Sequence, residues 1–237
     1  MQPWIHLDKT NIPGGGELKL SQRGDEFSIR LAGNELMNSR LSGSEEALAT
    51  LSCARIADRK RPRILIGGLG MGFTLRAALA VLGPEAKVVV AELLPAVIAW
   101  ARGPMASLFG DCLDDPRVTI EQVDVARLIN PGAGGWDAIL LDVDNGPEAM
   151  TQSANDGLYG MSGLTIARHA LKARGVLAVW SQGPDRDFKS RFGRSGFQVE
   201  EVMVRAHRGK SGARHVIWLG TAGGPPRGGR EATSSRK

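Results

Sequence analysis

The sequence predicts an α/β fold built on a mostly parallel sheet, and three observations carry that expectation. Short, continuously apolar runs at residues 64–66, 88–91 and 138–141 read as strands buried on both faces. Helix-like segments separate them, which implies parallel strands joined by crossovers. Two final extended stretches, residues 197–204 and 215–219, are joined by a loop too short for a crossover helix, so they close the sheet as an antiparallel pair.

Taken in order, residues 17–21 and 26–31 alternate apolar and polar side chains around Gln22-Arg23-Gly24-Asp25, a hairpin signal. A short third strand runs through Glu35-Leu36-Met37. Ser42-Gly43-Ser44-Glu45-Glu46 then opens a helix to about Ala57, with a capping residue at its start and acids in the first turn. Beyond it come a strand at 64–66, a helix at 73–82, a strand at 88–91 and a helix from Pro95 to about Arg102. Proline is tolerated at a first helical position because its missing N–H would be unpaired there anyway. A third strand begins at 118–120, a short helix covers 125–129, and a fourth strand covers 138–141. A helix at 161–173, a strand at 175–180 and a helix at 187–194 precede the closing pair. The expected organisation is an N-terminal β-hairpin extension at 1–40, one seven-stranded domain at 41–222, and a disordered basic tail at 223–237.

Composition narrows the class. Of 237 residues, 42% are hydrophobic and 23% charged, enough apolar surface for a sizeable core. Cys53 and Cys112 lie far apart and form no ligand-like cluster, which argues against structural zinc or a disulfide framework. The first residues carry Asp8 and Lys9 where a signal peptide needs an apolar run, and the longest apolar stretch, 64–82, holds four glycines and Arg76. The reading is a soluble, cytoplasmic chain with no membrane partner. Net charge is +5, but much of the excess sits at 205–214 and in the tail, without interleaved aromatics for base stacking. A nucleic-acid partner is not expected. His6, His169, His207 and His215 show no metal spacing, so no metal is expected either. Trp100, Trp136, Trp180 and Trp218 read as core.

In an open α/β sheet, ligands bind beyond the carboxyl ends of the strands. The first buried strand is followed by Gly67-Gly68-Leu69-Gly70-Met71-Gly72, where Gly67, Gly68, Gly70 and Gly72 let backbone approach a ligand. The second is followed by Glu92, placed to accept hydrogen bonds from two ribose hydroxyls. Asp124 follows the third strand, either as a ligand contact or as a cap for the next helix. Asp142 follows the fourth, with Asp144 and Asn145 just beyond. Together these positions point to a nucleoside. A nicotinamide dinucleotide would need G-x-G-x-x-G, and the two frames of this turn end on Phe73 and Leu75. No Gly-Lys-Ser/Thr follows to make a phosphate loop.

The segments at 64–78, 88–92, 115–124, 136–147 and 158–180, with the Ser-Gly-Ser-Glu-Glu-Ala-Leu-Ala helix at 42–49, resemble the spermidine synthase family of polyamine aminopropyltransferases. That family belongs to the class I S-adenosylmethionine-dependent methyltransferase superfamily. The resemblance implies a Rossmann-like class I methyltransferase fold and a co-substrate that is S-adenosylmethionine or its decarboxylated form. It also implies transfer of an aminopropyl group to a small amine, and self-association as in a homodimer. By the same resemblance the glycine turn, Glu92 and Asp124 hold ribose and adenine, and the Asp142 region forms the catalytic loop. Asp142 or Asp144 would take the amine's proton, with Tyr159 as a hydrogen-bonding partner.

Three departures from the family pattern stand in the sequence. The family turn reads Gly-Gly-Gly-Asp-Gly-Gly, and Gly70 takes the place of its Asp. The family's Tyr-His-Glu helix motif is replaced around Ser44-Glu45-Glu46, with Glu46 as the match for its acid. The loop Asp142-Val143-Asp144-Asn145-Gly146-Pro147 displaces the second Asp by one residue. Methyl transfer on the same scaffold, or nucleoside binding without catalysis, are the alternative readings.

Overall fold

The computed structural model describes residues 2–12, 15–130, 132, 135–143, 157–206 and 213–223. The expected basic loop at 207–212, the tail beyond 223, and Asp144 with its neighbours lie outside the described residues.

An antiparallel sheet comes first, in the order β1-β2-β3-β4: β1 Ile5–Asn11, β2 Glu17–Arg23, β3 Glu26–Leu31 and β4 Asn34–Asn38. The predicted hairpin is β2–β3, and Leu18, Leu20, Phe27 and Ile29 are its buried positions. β1 is an addition to the expectation. Its residues are almost all exposed, so it has no apolar alternation to read and is held by its ladder to β2. A side-chain bond reinforces it, because Trp100 Nε1 donates to Asp8 Oδ2 over 2.6 Å.

Helix α1 (Gly43–Ala54) connects this sheet to the larger one. Ser42 stands at its N-cap, but its hydroxyl bonds Glu46 Oε1 at 3.0 Å instead of a backbone N–H. The first helical N–H, that of Gly43, donates instead to Ala206 O.

The larger sheet has seven strands: β5 Arg63–Gly67, β6 Lys87–Ala91, β7 Val118–Glu121, β8 Trp136–Leu141, β9 Leu171–Ser181, β10 Phe197–Arg205 and β11 Arg214–Ala222. Their order is β10-β11-β9-β8-β5-β6-β7. β5 through β9 pair in parallel, while β11 runs antiparallel between β9 and β10, as the sequence predicts for the closing pair. The helices are α2 Phe73–Val81, α3 Pro95–Arg102, α4 Ala106–Phe109, α5 Val125–Leu128, α6 Met161–Ala170 and α7 Arg186–Arg194. α6 ends three residues before the predicted boundary. β9 begins at once, with a wide register shift opposite β8 and Arg174 at φ 59°.

Period-two geometry divides the core between two faces. Ile64 and Ile66 of β5 face α1, α2, α3 and the N-terminal sheet, whereas Leu65 faces α5, α6 and α7. Each fully buried aliphatic side chain contributes about 1.5–3 kcal/mol, so this continuous two-sided burial dominates the stability of the strands. The N-terminal sheet joins the first face through Leu20, Phe27 and Ile29, beside Trp100 and Phe109.

Candidate active site

The carboxyl ends of β5, β6 and β8 converge on the glycine turn. Gly68 N–H donates to Ala91 O at 2.9 Å, and Asp142 N–H donates to Gly67 O at 3.0 Å, so both neighbouring strands pin the turn. Gly68 has φ 90°, and a Cβ there would lie 2.4 Å from the Asp142 carbonyl oxygen. Gly72, the N-cap of α2, has φ 77°, and its Cβ would meet the Phe109 ring at 2.5 Å. Only glycine satisfies both limits. Gly70 faces the cleft, with Met37 Sδ of β4 nearby.

Glu92 is 8% exposed. Its Oε2 accepts from Leu69 N–H at 3.0 Å and its Oε1 from Leu94 N–H at 2.8 Å. Burial raises its pKa, against the opposing pull of the backbone N–H groups of Leu94, Leu69, Gly70 and Leu93. The expected ribose acceptor is thus also the clamp that shapes the glycine turn. Asp124 is exposed and caps α5, accepting from Ala126 N–H at 2.8 Å. Such a cap stabilises a helix by about 1 kcal/mol.

A cleft opens beside Gly70 and Met71, walled by Met37 of the N-terminal sheet, Phe73, and Trp180 at the end of β9. Two carboxylates line it. Asp142 accepts a hydrogen bond from Thr74 Oγ1 at 2.6 Å, and burial pushes its pKa up to about 6. Glu45 of α1 is pushed up to about 7, first by burial and then by the negative field of Asp142. No lysine or arginine is among the described residues lining the cleft.

The structure therefore brings together the glycine turn, Glu92 and Asp142. The helix acid that lines the cleft is Glu45, whereas Glu46 bonds back to Ser42. Tyr159 lies on the opposite face of the sheet, 2% exposed, with its ring edge-on to Phe188 and its carbonyl accepting from Arg191 Nε. Trp180, expected in the core, is half-buried and walls the cleft. Sequence reasoning missed Glu45 and Trp180 as lining groups. The strand-end rule that found Glu92 and Asp142 also applies to Trp180, near the end of β9.

Seven strands in this order, with one antiparallel member and a glycine turn after β5, define a Rossmann-like fold of the class I methyltransferase type. In fold the chain is spermidine-synthase-like. It matches spermidine synthase from Thermotoga maritima with a TM-score of 0.72 and 18% identity, over 94% of this chain and 74% of that one. A spermidine synthase in complex with the transition-state analogue AdoDATO gives 0.71 and 19% over the same shares. In sequence the chain is similar to polyamine aminopropyltransferases. That of Mycobacterium tuberculosis is 28% identical over 171 residues, 71% of this chain and 31% of the relative. That of Corynebacterium efficiens is 27% identical over 168 residues, 70% of this chain and 31% of the relative. The chain thus matches about a third of the length of these curated relatives. No protein-family model matches it. Among the described residues no helix is long and apolar enough to cross a membrane, and no three His, Cys, Asp or Glu side chains gather as a metal site.

Proposed function

We propose that this chain is a spermidine-synthase-like transferase that binds decarboxylated S-adenosylmethionine and transfers its aminopropyl group to a small amine. The observation that carries the reading is the pair Glu45 and Asp142, two carboxylates in a cleft beside the glycine turn with no cation among its described lining. Such a pair selects a cationic ligand.

The glycine turn, Gly67 to Gly72, suits the nucleoside because it admits a close approach to backbone. Glu92 accepts from Leu69 and Leu94 N–H, one on each oxygen, with the N–H groups of Gly70 and Leu93 also turned toward it, and ribose hydroxyls would share the acceptor capacity beyond the two direct bonds. Asp124 likewise has acceptor capacity beyond its cap, for the adenine end. The donor's sulfonium supplies an electrophilic carbon with a neutral thioether as leaving group. An amine attacks only through its free lone pair, so the ammonium must first lose a proton. Asp142 and Glu45, raised toward neutrality, are matched to that transfer; Asp144, from the adjoining loop, belongs to the same proposal. Tyr159, expected as a hydrogen-bonding partner of these carboxylates, lies outside the cleft lining and has no part in the proposed transfer.

Titration calorimetry with intact adenosylmethionine, its decarboxylated form and methylthioadenosine tests the reading, followed by turnover with a panel of diamines. Tighter binding of the decarboxylated donor and amine-dependent release of methylthioadenosine are expected. Methyl transfer is the second reading, favoured by Gly70, which lacks the carboxylate that would meet the donor's ammonium. Preference for the intact donor would select it, and absence of binding to all three would overturn both.

A further inference from the structure

Glu45 is bonded away from the cleft as well as facing it. Ser44, fully buried on α1, donates its hydroxyl to Glu45 Oε2 at 2.7 Å. The same hydroxyl lies 2.9 Å from Nδ1 of His215, a residue 171 positions away on β11. His215 is half-buried, and its ring packs edge-on to Trp180 at 4.7 Å, the side chain that walls the cleft.

We propose that Ser44 and His215 form a proton path connecting the Glu45 carboxylate in the cleft to solvent. The inference rests on the transferase reading, because an ammonium that becomes a nucleophile leaves one proton in the cleft per turnover. Two carboxylates near one another hold that proton tightly, and the next ammonium needs at least one of them ionised again. A hydroxyl both donates and accepts, so it can pass a proton without holding charge. In the step, protonated Glu45 gives its proton to Ser44 Oγ. Ser44 gives its own proton to Nδ1 of neutral, Nε2-protonated His215, and the imidazolium releases the Nε2 proton to water. Glu45 ends as carboxylate, Ser44 as hydroxyl donating to it, and His215 as the Nδ1–H tautomer; a turn of the ring away from Ser44 lets that proton exchange with water, which returns the Nε2–H form before the next proton arrives. Burial lowers the pKa of His215, which keeps it neutral and receptive at neutral pH. The charged residues on the elements around it are Glu45 and Glu46 at the start of α1, and Arg205 and Arg214, which pair one register position along between β10 and β11.

Ser44 and His215 act through Glu45 and are therefore positioning residues, and a simple tether between α1 and β11 is the competing role. Nitrogen NMR on the ligand-free protein tests the coupling that the path requires, and the kinetics of His215→Asn separate the path from a tether. In wild type, the His215 Nδ1 resonance should follow the titration of Glu45. That response should vanish in Glu45→Gln and Ser44→Ala, and its persistence in Ser44→Ala would overturn the path. With a turning-over amine, His215→Asn keeps a polar partner for Ser44 but cannot carry charge. Its kcat should fall about tenfold with the donor KM unchanged, the basic limb of the pH profile should move, and added imidazole should restore rate. An unchanged kcat and pH profile would sink the proposal. Should wild type turn over no amine, the transferase reading fails, whereas a His215 response that survives Ser44→Ala overturns the path by itself.

Discussion

Thr74 and Asp142 are joined by one hydroxyl–carboxylate hydrogen bond of 2.6 Å, which ties the start of α2 to the end of β8. That bond fixes the carboxylate's direction and counteracts the effect of burial on its pKa. Thr74→Val keeps the shape and removes the donor. We expect kcat to fall about tenfold with donor affinity retained, whereas Asp142→Asn should cost about a hundredfold or more. Steady-state rates beside calorimetric donor affinities check both, and a loss confined to donor affinity would contradict the assignment.

The cleft carboxylates also set a pH dependence of stability. Glu45 and Asp142 are raised from 4.5 and 3.8 to about 7 and about 6, chiefly by burial. Between roughly pH 4 and 7 the folded chain holds protons that the unfolded chain has already released, so stability falls as pH rises through that window. Glu45→Gln removes about half of this effect, and at about pH 8 it should be more stable than wild type by about 1–3 kcal/mol. Thermal melts across this range provide the check, and a Glu45→Gln protein with wild-type pH dependence would refute it.

Gly68 offers a backbone test. Alanine there must adopt φ 90° and place its Cβ 2.4 Å from a carbonyl oxygen that cannot retreat without moving β8. Gly68→Ala should lose about 2–4 kcal/mol by denaturant melt, from strain together with the clash. Gly83→Ala is the control, because a Cβ there meets nothing within 4 Å. Equal losses at the two positions would remove the turn's special status.

Glu92→Gln is expected to weaken donor binding about tenfold or more while the protein stays folded. The amide keeps one acceptor oxygen, but its NH2 faces an N–H of Leu69 or Leu94 that now has no acceptor. Calorimetry with the donor is the measurement; undiminished affinity would show that Glu92 serves the turn alone.

The fold was largely legible because its strands announce themselves twice, by continuous apolar runs and by the residue type that follows each one. Gly67 and Glu92 follow directly from that rule. β1 was illegible because IHLDKTN buries almost nothing, so pairing with β2 and the Asp8–Trp100 bond supply what no local pattern encodes. The choice between Glu45 and Glu46 turns on about 100° of helix rotation, which is set by how α1 packs against β9 and β11. Asp124 has two roles open to it in the sequence, and the structure displays its capping bond.

Met37 belongs to β4 and Gly70 to the turn after β5, yet the two form one wall of the cleft. The cavity is thus completed only when two separately hydrogen-bonded sheets come together. Occupancy of the cleft then becomes a latch on that union: a ligand that touches both sides favours the docked arrangement by the difference in its affinity for the joined and separated sheets.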